Sequence, residues 1–137
     1  MKRFSVRHLL AAIALFTLGI ASTLVAQTVT ESTQRVEKQR VDLAGAPAME
    51  VVVSTGEYHP GEAIDLHSHH GIEALYVVQG ATVQVPGNEP NKLPTGATKV
   101  NLRDIDHAGF TVVGDTSLKL FTVHVVDKHK SLYVYAK

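Results

Sequence analysis

Between Gly61 and Gly80 the chain reads Gly61-Glu62-Ala63-Ile64-Asp65-Leu66-His67-Ser68-His69-His70-Gly71-Ile72-Glu73, then Ala74-Leu75-Tyr76-Val77-Val78-Gln79-Gly80. Residues two apart on a strand project from one face, so His67 and His69 present their imidazoles side by side. Such a pair is a natural bite for a divalent cation. Gly71 permits a tight turn and Glu73 opens the next strand, whose antiparallel return brings a carboxylate beside the histidines. A third imidazole, His107, stands at the edge of a later strand. Three neutral imidazoles and one carboxylate suit a single divalent transition metal: Fe, Mn, Ni, Cu, Zn or Co. Four protein ligands leave about two positions of a six-coordinate ion for substrate, water or dioxygen.

Around this stretch, short runs rich in Val, Thr, Ile, Leu and Tyr alternate with Gly, Pro, Asn and Asp clusters, the pattern of an all-β sandwich or barrel. The expected strands are Met49–Tyr58, Ala63–His69, Ala74–Gln79, Thr82–Val85, Lys99–Leu102, Gly109–Val113 and Leu118–Val126, with Leu132–Tyr135 at the end. Breakers separate them at His59-Pro60-Gly61, His70-Gly71, Gly80, Pro86-Gly87-Asn88, Pro94-Thr95-Gly96 and Gly114-Asp115. Beyond residue 26 no long 3.6-residue apolar period marks a helix. Ala74 to Val78 is apolar on both faces of its strand. One face meets the domain's own core; the other calls for a cover, and a second copy of the chain is one candidate.

The frame Gly61, five residues, His67, one residue, His69, three residues, Glu73, six residues, Gly80 resembles the first motif of the cupin superfamily at each defining position. A partial second motif runs from Gly96 across ten residues to His107. Leu102 stands where that family usually has proline, Asp104 where it has glycine, and Thr111 replaces a frequent asparagine. The resemblance spans Val41 to Lys130 and implies a cupin-type jelly-roll β-sandwich, also described as a double-stranded β-helix. It further implies that His67, His69, Glu73 and His107 bind a metal inside the barrel. Dioxygenase, isomerase, decarboxylase and lyase activities occur on that scaffold, so the resemblance points to a site rather than to one reaction. No catalytic residue is nominated. The alternatives are a non-catalytic module that binds or senses a small ligand or the metal, a metal that only stabilises the fold, and a vestigial site whose residues bond one another.

The N-terminus has its own pattern. Lys2, Arg3 and Arg7 precede an apolar run from Leu9 to Ala21, and a small-residue region ends at Ala26. That order is the secretory signal, so residues 1–26 are expected to be removed and the protein to be periplasmic. As an uncleaved anchor, the 18 residues from Leu9 to Ala26 would be only just long enough, and Gly19, Ser22 and Thr23 dilute them. No stable membrane anchor is therefore expected after cleavage. Residues 27–40 are polar and expected to be flexible, with the cupin domain at 41–137.

The segment carries three of the 13 basic residues and none of the 13 acidic ones, leaving a net charge near −3. That balance offers no footprint for nucleic acid; the small polar organic molecule expected as partner is what the cupin resemblance implies. Cysteine is absent, which excludes thiolate metal sites and cysteine nucleophiles. No phosphate-cradling glycine loop, nucleophile elbow or zinc-protease helix occurs. His70 points away from the ligand face, His59 belongs to a turn, and His124 alternates with Phe121, Val123 and Val125 as a satisfied structural histidine. Asp104 and Asp106 are expected as solvated loop charges, Tyr76 as packing, and Val85 to Pro94 as a hairpin connection at the barrel edge.

Overall fold

The computed structural model describes residues 34–137. The expected signal segment and residues 27–33 lie outside the described residues. Strands follow one another as β1 (Arg35–Asp42), β2 (Met49–Tyr58), β3 (Ala63–Ile64), β4 (His67–Ser68), β5 (Gly71–Gln79), β6 (Ala81–Gln84), β7 (Asn91–Leu93), β8 (Thr98–Asn101), β9 (Phe110–Val113), β10 (Leu118–Asp127) and β11 (Val134–Tyr135). They form a five-stranded sheet β1-β2-β10-β5-β8, a four-stranded sheet β3-β9-β6-β7 and a short β11-β4 pair. Every pairing is antiparallel, and the two larger sheets enclose the core of a β-sandwich.

β2 and β10 pair along their whole length, from Leu118 opposite Tyr58 to Asp127 opposite Met49. Alternation on β10 buries Leu118, Leu120, Thr122, His124 and Val126, while Phe121, Val123 and Val125 turn outward. The inward rows sort themselves by polarity. Tyr58, Val77, Ala81, Val112, Leu118 and Leu120 make one apolar cluster; Val52, Val126 and Leu132 make another. Between them the inward positions are polar: Ser54 on β2, Glu73 on β5, Asn101 on β8, and Thr122 and His124 on β10, all buried. Each fully buried valine or leucine contributes about 1.5–3 kcal/mol. Two apolar clusters thus flank a polar band, and the band houses the candidate site.

Two expectations need correction. Residues 35–40 were assigned to a flexible segment, yet Arg35–Asp42 is a strand paired with β2 from Arg35 opposite Gly56 to Asp42 opposite Glu50. Its sequence hides it. Only Val36 and Val41 are apolar, and all but Arg35 are exposed, as suits a charged edge strand. Backbone pairing holds it, together with Arg40, which bonds Glu37 through Nε at 3.0 Å and Nη2 at 2.9 Å and also reaches Glu50. The strand expected over Ala63–His69 is instead two short pieces, because β3 pairs with β9 while β4 pairs with β11. In the Val85–Pro94 connection, Asn91–Leu93 returns as β7 against β6.

Candidate metal centre

His67 faces His107 across an antiparallel bridge, with His67 N donating to His107 O at 3.1 Å and His107 N to His67 O at 2.8 Å. Their rings lie 4.5 Å apart, and the His69 ring lies 4.9 Å from His67 and 4.8 Å from His107. Glu73 arrives from β5, one short turn later. At that turn a side chain on Gly71 would run into Val125 O and meet Val126 Cα at 2.6 Å, so only glycine lets β5 approach β10 this closely. Asp104 fills the loop position where the resemblance placed glycine and adopts φ 57°, a left-handed conformation that aspartate tolerates. The substitution keeps the turn that presents His107.

Hydrogen bonds settle the tautomers. His67 Nδ1 donates to Asp65 O at 2.7 Å, His69 Nδ1 to Leu132 O at 2.5 Å, and His107 Nδ1 to Ile105 O at 2.9 Å. A carbonyl only accepts, so each Nδ1 carries the proton and each Nε2 of a neutral ring is a bare lone pair. Nε2 of His69 and Nε2 of His107 are 3.1 Å apart. Glu73 Oε2 lies 3.5 Å from the former and 3.3 Å from the latter. Ligand atoms of His67, His69 and His107 all fall within 4.8 Å of one another. Acceptors converging without a donor repel unless a cation lies between them. Ligands ~2.0–2.2 Å from one ion lie ~3.0–3.5 Å apart when adjacent, so the observed spacings fit such an ion.

Three strands set Glu73 in place: in register it stands opposite His124 on β10 and Asn101 on β8. Asn101 Nδ2 donates to Glu73 Oε2 at 2.6 Å, and His124 Nε2 sits 3.3 Å from Oε1. Burial works against the Glu73 anion, but the hydrogen bonds that His107, His124 and His69 donate to it when their Nε2 carries a proton outweigh burial and hold the carboxyl far below the ordinary range. Burial pushes His124 down, so at neutral pH that imidazole is neutral beside an ionised carboxylate. Burial likewise lowers His67 to about 4, against the opposing effect of its bond to Asp65 O.

All four residues singled out from the sequence come together. His124 joins them and corrects an expectation. It was expected to be a satisfied structural histidine, but it is wholly buried and neither ring nitrogen has a hydrogen-bond partner among the described residues. His69, Glu73 and His124 form a second triad that overlaps the first at His69. Neither nitrogen of His124 is anchored by a carbonyl, so the anchored trio is the better-built ligand set. The alternation of β10 carried the signal for His124, but each row of that strand holds three apolar residues, and those of the outward row, Phe121, Val123 and Val125, are the ones that flank His124. Tyr133 was also missed. Its ring lies 4.6 Å from His67 and 5.1 Å from His69, brought there by the pairing of β11 with β4. Burial raises its phenol far above the ordinary value. His70 bonds the exposed Asp104 at 3.1 Å, and His59 bonds Ser117 at 2.9 Å, so both stay outside the cluster.

A cavity of about 280 Å³ opens beside the cluster. Its lining includes the polar His67, Glu73, His107, Asn101, Tyr133 and Arg35 and the apolar Leu75, Val83, Leu93, Phe110 and Leu120.

The double-stranded β-helix is the cupin fold that the motif frame implied, and solved structures share it. One is an uncharacterised conserved protein with a double-stranded β-helix domain from Klebsiella pneumoniae, with 20% identity and a TM-score of 0.54 over 75% of this chain and 83% of that one. Another is the polyketide cyclase RemF from Streptomyces resistomycificus, with 16% identity and a TM-score of 0.52 over 77% and 74%. A structure of the DMSP lyases RdDddP and RnDddQII gives 20% identity and a TM-score of 0.50 over 64% of this chain, which spans only 44% of the lyase chain. No family profile and no curated protein matches the chain in sequence. These likenesses establish the fold, an all-β double-stranded β-helix of the kind found in cupins.

A pH dependence follows for the metal-free protein. An unfolded histidine takes up its proton near 6.5, folded His67 only near 4. Between these values the unfolded chain binds more protons, so the stability due to neutral His67 is complete above 6.5 and is lost as pH falls to about 4. Glu73 adds a loss only below the ordinary carboxyl value of 4.5. Thermal unfolding followed from pH 7 to pH 4 should show a falling midpoint, and His67→Gln should flatten the part between 6.5 and 4.5. An unchanged slope in the variant would contradict the assignment.

Proposed function

We propose that this protein is an exported cupin that holds one divalent transition-metal ion with His67, His69, Glu73 and His107 and presents it to a small polar organic molecule. The observation that carries this reading is the convergence of carbonyl-anchored imidazoles, lone pairs inward, on an ionised carboxylate. Bound there, the metal would supply Lewis acidity or a dioxygen-binding centre. His67, His69 and His107 are neutral donors, and Glu73 offsets part of the ion's charge. Asn101 fixes the carboxylate that they surround. Tyr133 and the C-terminal strand cover the histidines on one side.

A purely structural metal would be closed over by packed apolar side chains. Here the cavity reaches His67, Glu73 and His107 and brings further polar groups beside them, which favours a site that admits a ligand. The fold relatives differ in their chemistry, so the fold nominates no single reaction. The purified protein should contain close to one equivalent of a first-row divalent metal by elemental analysis. His67→Ala combined with His69→Ala should lower that below a tenth of an equivalent, while far-ultraviolet circular dichroism stays that of a β protein. A full equivalent retained by the double variant would overturn the assignment.

We also propose a homodimer across the outer face of the five-stranded sheet. Phe121 stands beside Tyr76, Val123 beside Ala74 and Val125 beside Ile72, and Ala74 beside Val100. Ile72, Tyr76, Val78, Val100 and Phe121 are exposed. A contiguous apolar sheet face of this kind favours a partner. Sedimentation should give the mass of two copies, and Tyr76→Lys with Phe121→Lys that of one. A wild-type monomer at 100 μM would exclude this partner.

A further inference from the structure

Beside Tyr133 stands a charged group that the proposed centre does not use. Arg35 is only 4% exposed, and its Nε has no hydrogen-bond partner among the described residues. Among the described residues its one ion-pair contact is weak: Nη2 lies 3.5 Å from Glu37 Oε2. Glu37 belongs to Arg40 instead, which holds Oε2 at 2.9 Å and Oε1 at 3.0 Å. The carboxylate that lines the cavity, Glu73, is engaged by Asn101 and the imidazoles. A guanidinium buried this deeply with so little opposing charge is costly unless something else supplies the anion.

The cavity indicates where that anion comes from. Arg35 lines it together with His67, Glu73, His107 and Tyr133. The guanidinium carbon sits 5.8 Å from the Tyr133 ring centroid, and that ring is 4.6 Å from His67. The cation and the proposed ligand cluster thus both neighbour the Tyr133 ring. Opposite Arg35 on β2 is Gly56, which brings no side chain into the space. A divalent ion, one ionised carboxylate, neutral histidines and an arginine leave the cavity net positive, so a neutral occupant would leave that charge uncompensated. Much of the remaining lining of the cavity is apolar, Tyr58, Leu75, Leu120 and Phe110 included.

We propose that the molecule taken into the cavity is a small organic acid with an apolar body, its carboxylate held by Arg35. This names the ligand class of the proposed metal centre and rests on that reading. The planar fork of arginine pairs with both oxygens of a carboxylate, a geometry that lysine lacks. Lys99, the other cation lining the cavity, is exposed and keeps its hydration, so it is the competing anion site.

Hexanoate and hexanamide, equal in shape and different in charge, serve as probes in calorimetric titrations of full-length protein of measured metal content. Hexanoate should bind at least tenfold more tightly than hexanamide. Arg35→Gln should weaken hexanoate at least tenfold and hexanamide less than twofold, with metal content unchanged; Arg35→Lys should restore part of the loss. Equal binding of the two probes to the wild type overturns the proposal without any variant being needed. So does full hexanoate affinity in Arg35→Gln, or a loss that appears in Lys99→Gln or in the His67→Ala, His69→Ala protein instead. A preference for hexanoate that depends on Arg35 in protein without metal would keep the anion site and overturn the metal reading alone.

Discussion

Three imidazoles inside one barrel each give their Nδ1 proton to a backbone carbonyl, and that constraint governs the centre. The acceptors are Asp65, Leu132 and Ile105, from three separate stretches of chain. None can donate, so the tautomers follow from the backbone path. With those protons turned outward, the Nε2 lone pairs point inward at one another and at Glu73. In a low-dielectric interior, such a gathering of acceptors is unfavourable until positive charge joins it. The cluster is thereby suited to holding a cation.

The rest of the barrel exists, in energetic terms, to hold that arrangement against its cost. Apolar clusters above and below the polar band supply the burial, one built on Leu118, Leu120 and Val77, the other on Val52, Val126 and Leu132. Long pairing of β2 with β10, and of β10 with β5, fixes Ser54, Thr122, His124 and Glu73 at one level. The C-terminal strand is part of the site. Leu132 packs in the second cluster while its carbonyl anchors His69, so loss of the last residues would disturb tautomer and packing together.

Much of this was legible in the sequence where local chemistry is distinctive. His67, His69 and Glu73 fall in a spacing that few folds produce by chance, and His107 follows at a set distance from Gly96. The strands with strong apolar alternation, Met49–Tyr58 above all, were plain. Other residues were not. Arg35 lies in a run so polar that it resembles a solvated tail; a strand held by pairing to β2 leaves no periodicity of its own. His124 sits on a strand whose two faces are both apolar, so which face is inward depends on cross-strand register with Glu73. Tyr133 reaches the histidines through β11 meeting β4, a contact between residues more than 60 apart that composition does not encode. In each case the missing information was tertiary.

X-ray absorption at the metal edges of the purified protein addresses the centre most directly. The account predicts a first shell of three imidazole nitrogens and one carboxylate oxygen at about 2.0–2.2 Å, with the multiple scattering of histidine rings beyond it. A shell of water and carboxylate oxygens with no more than one imidazole would contradict it.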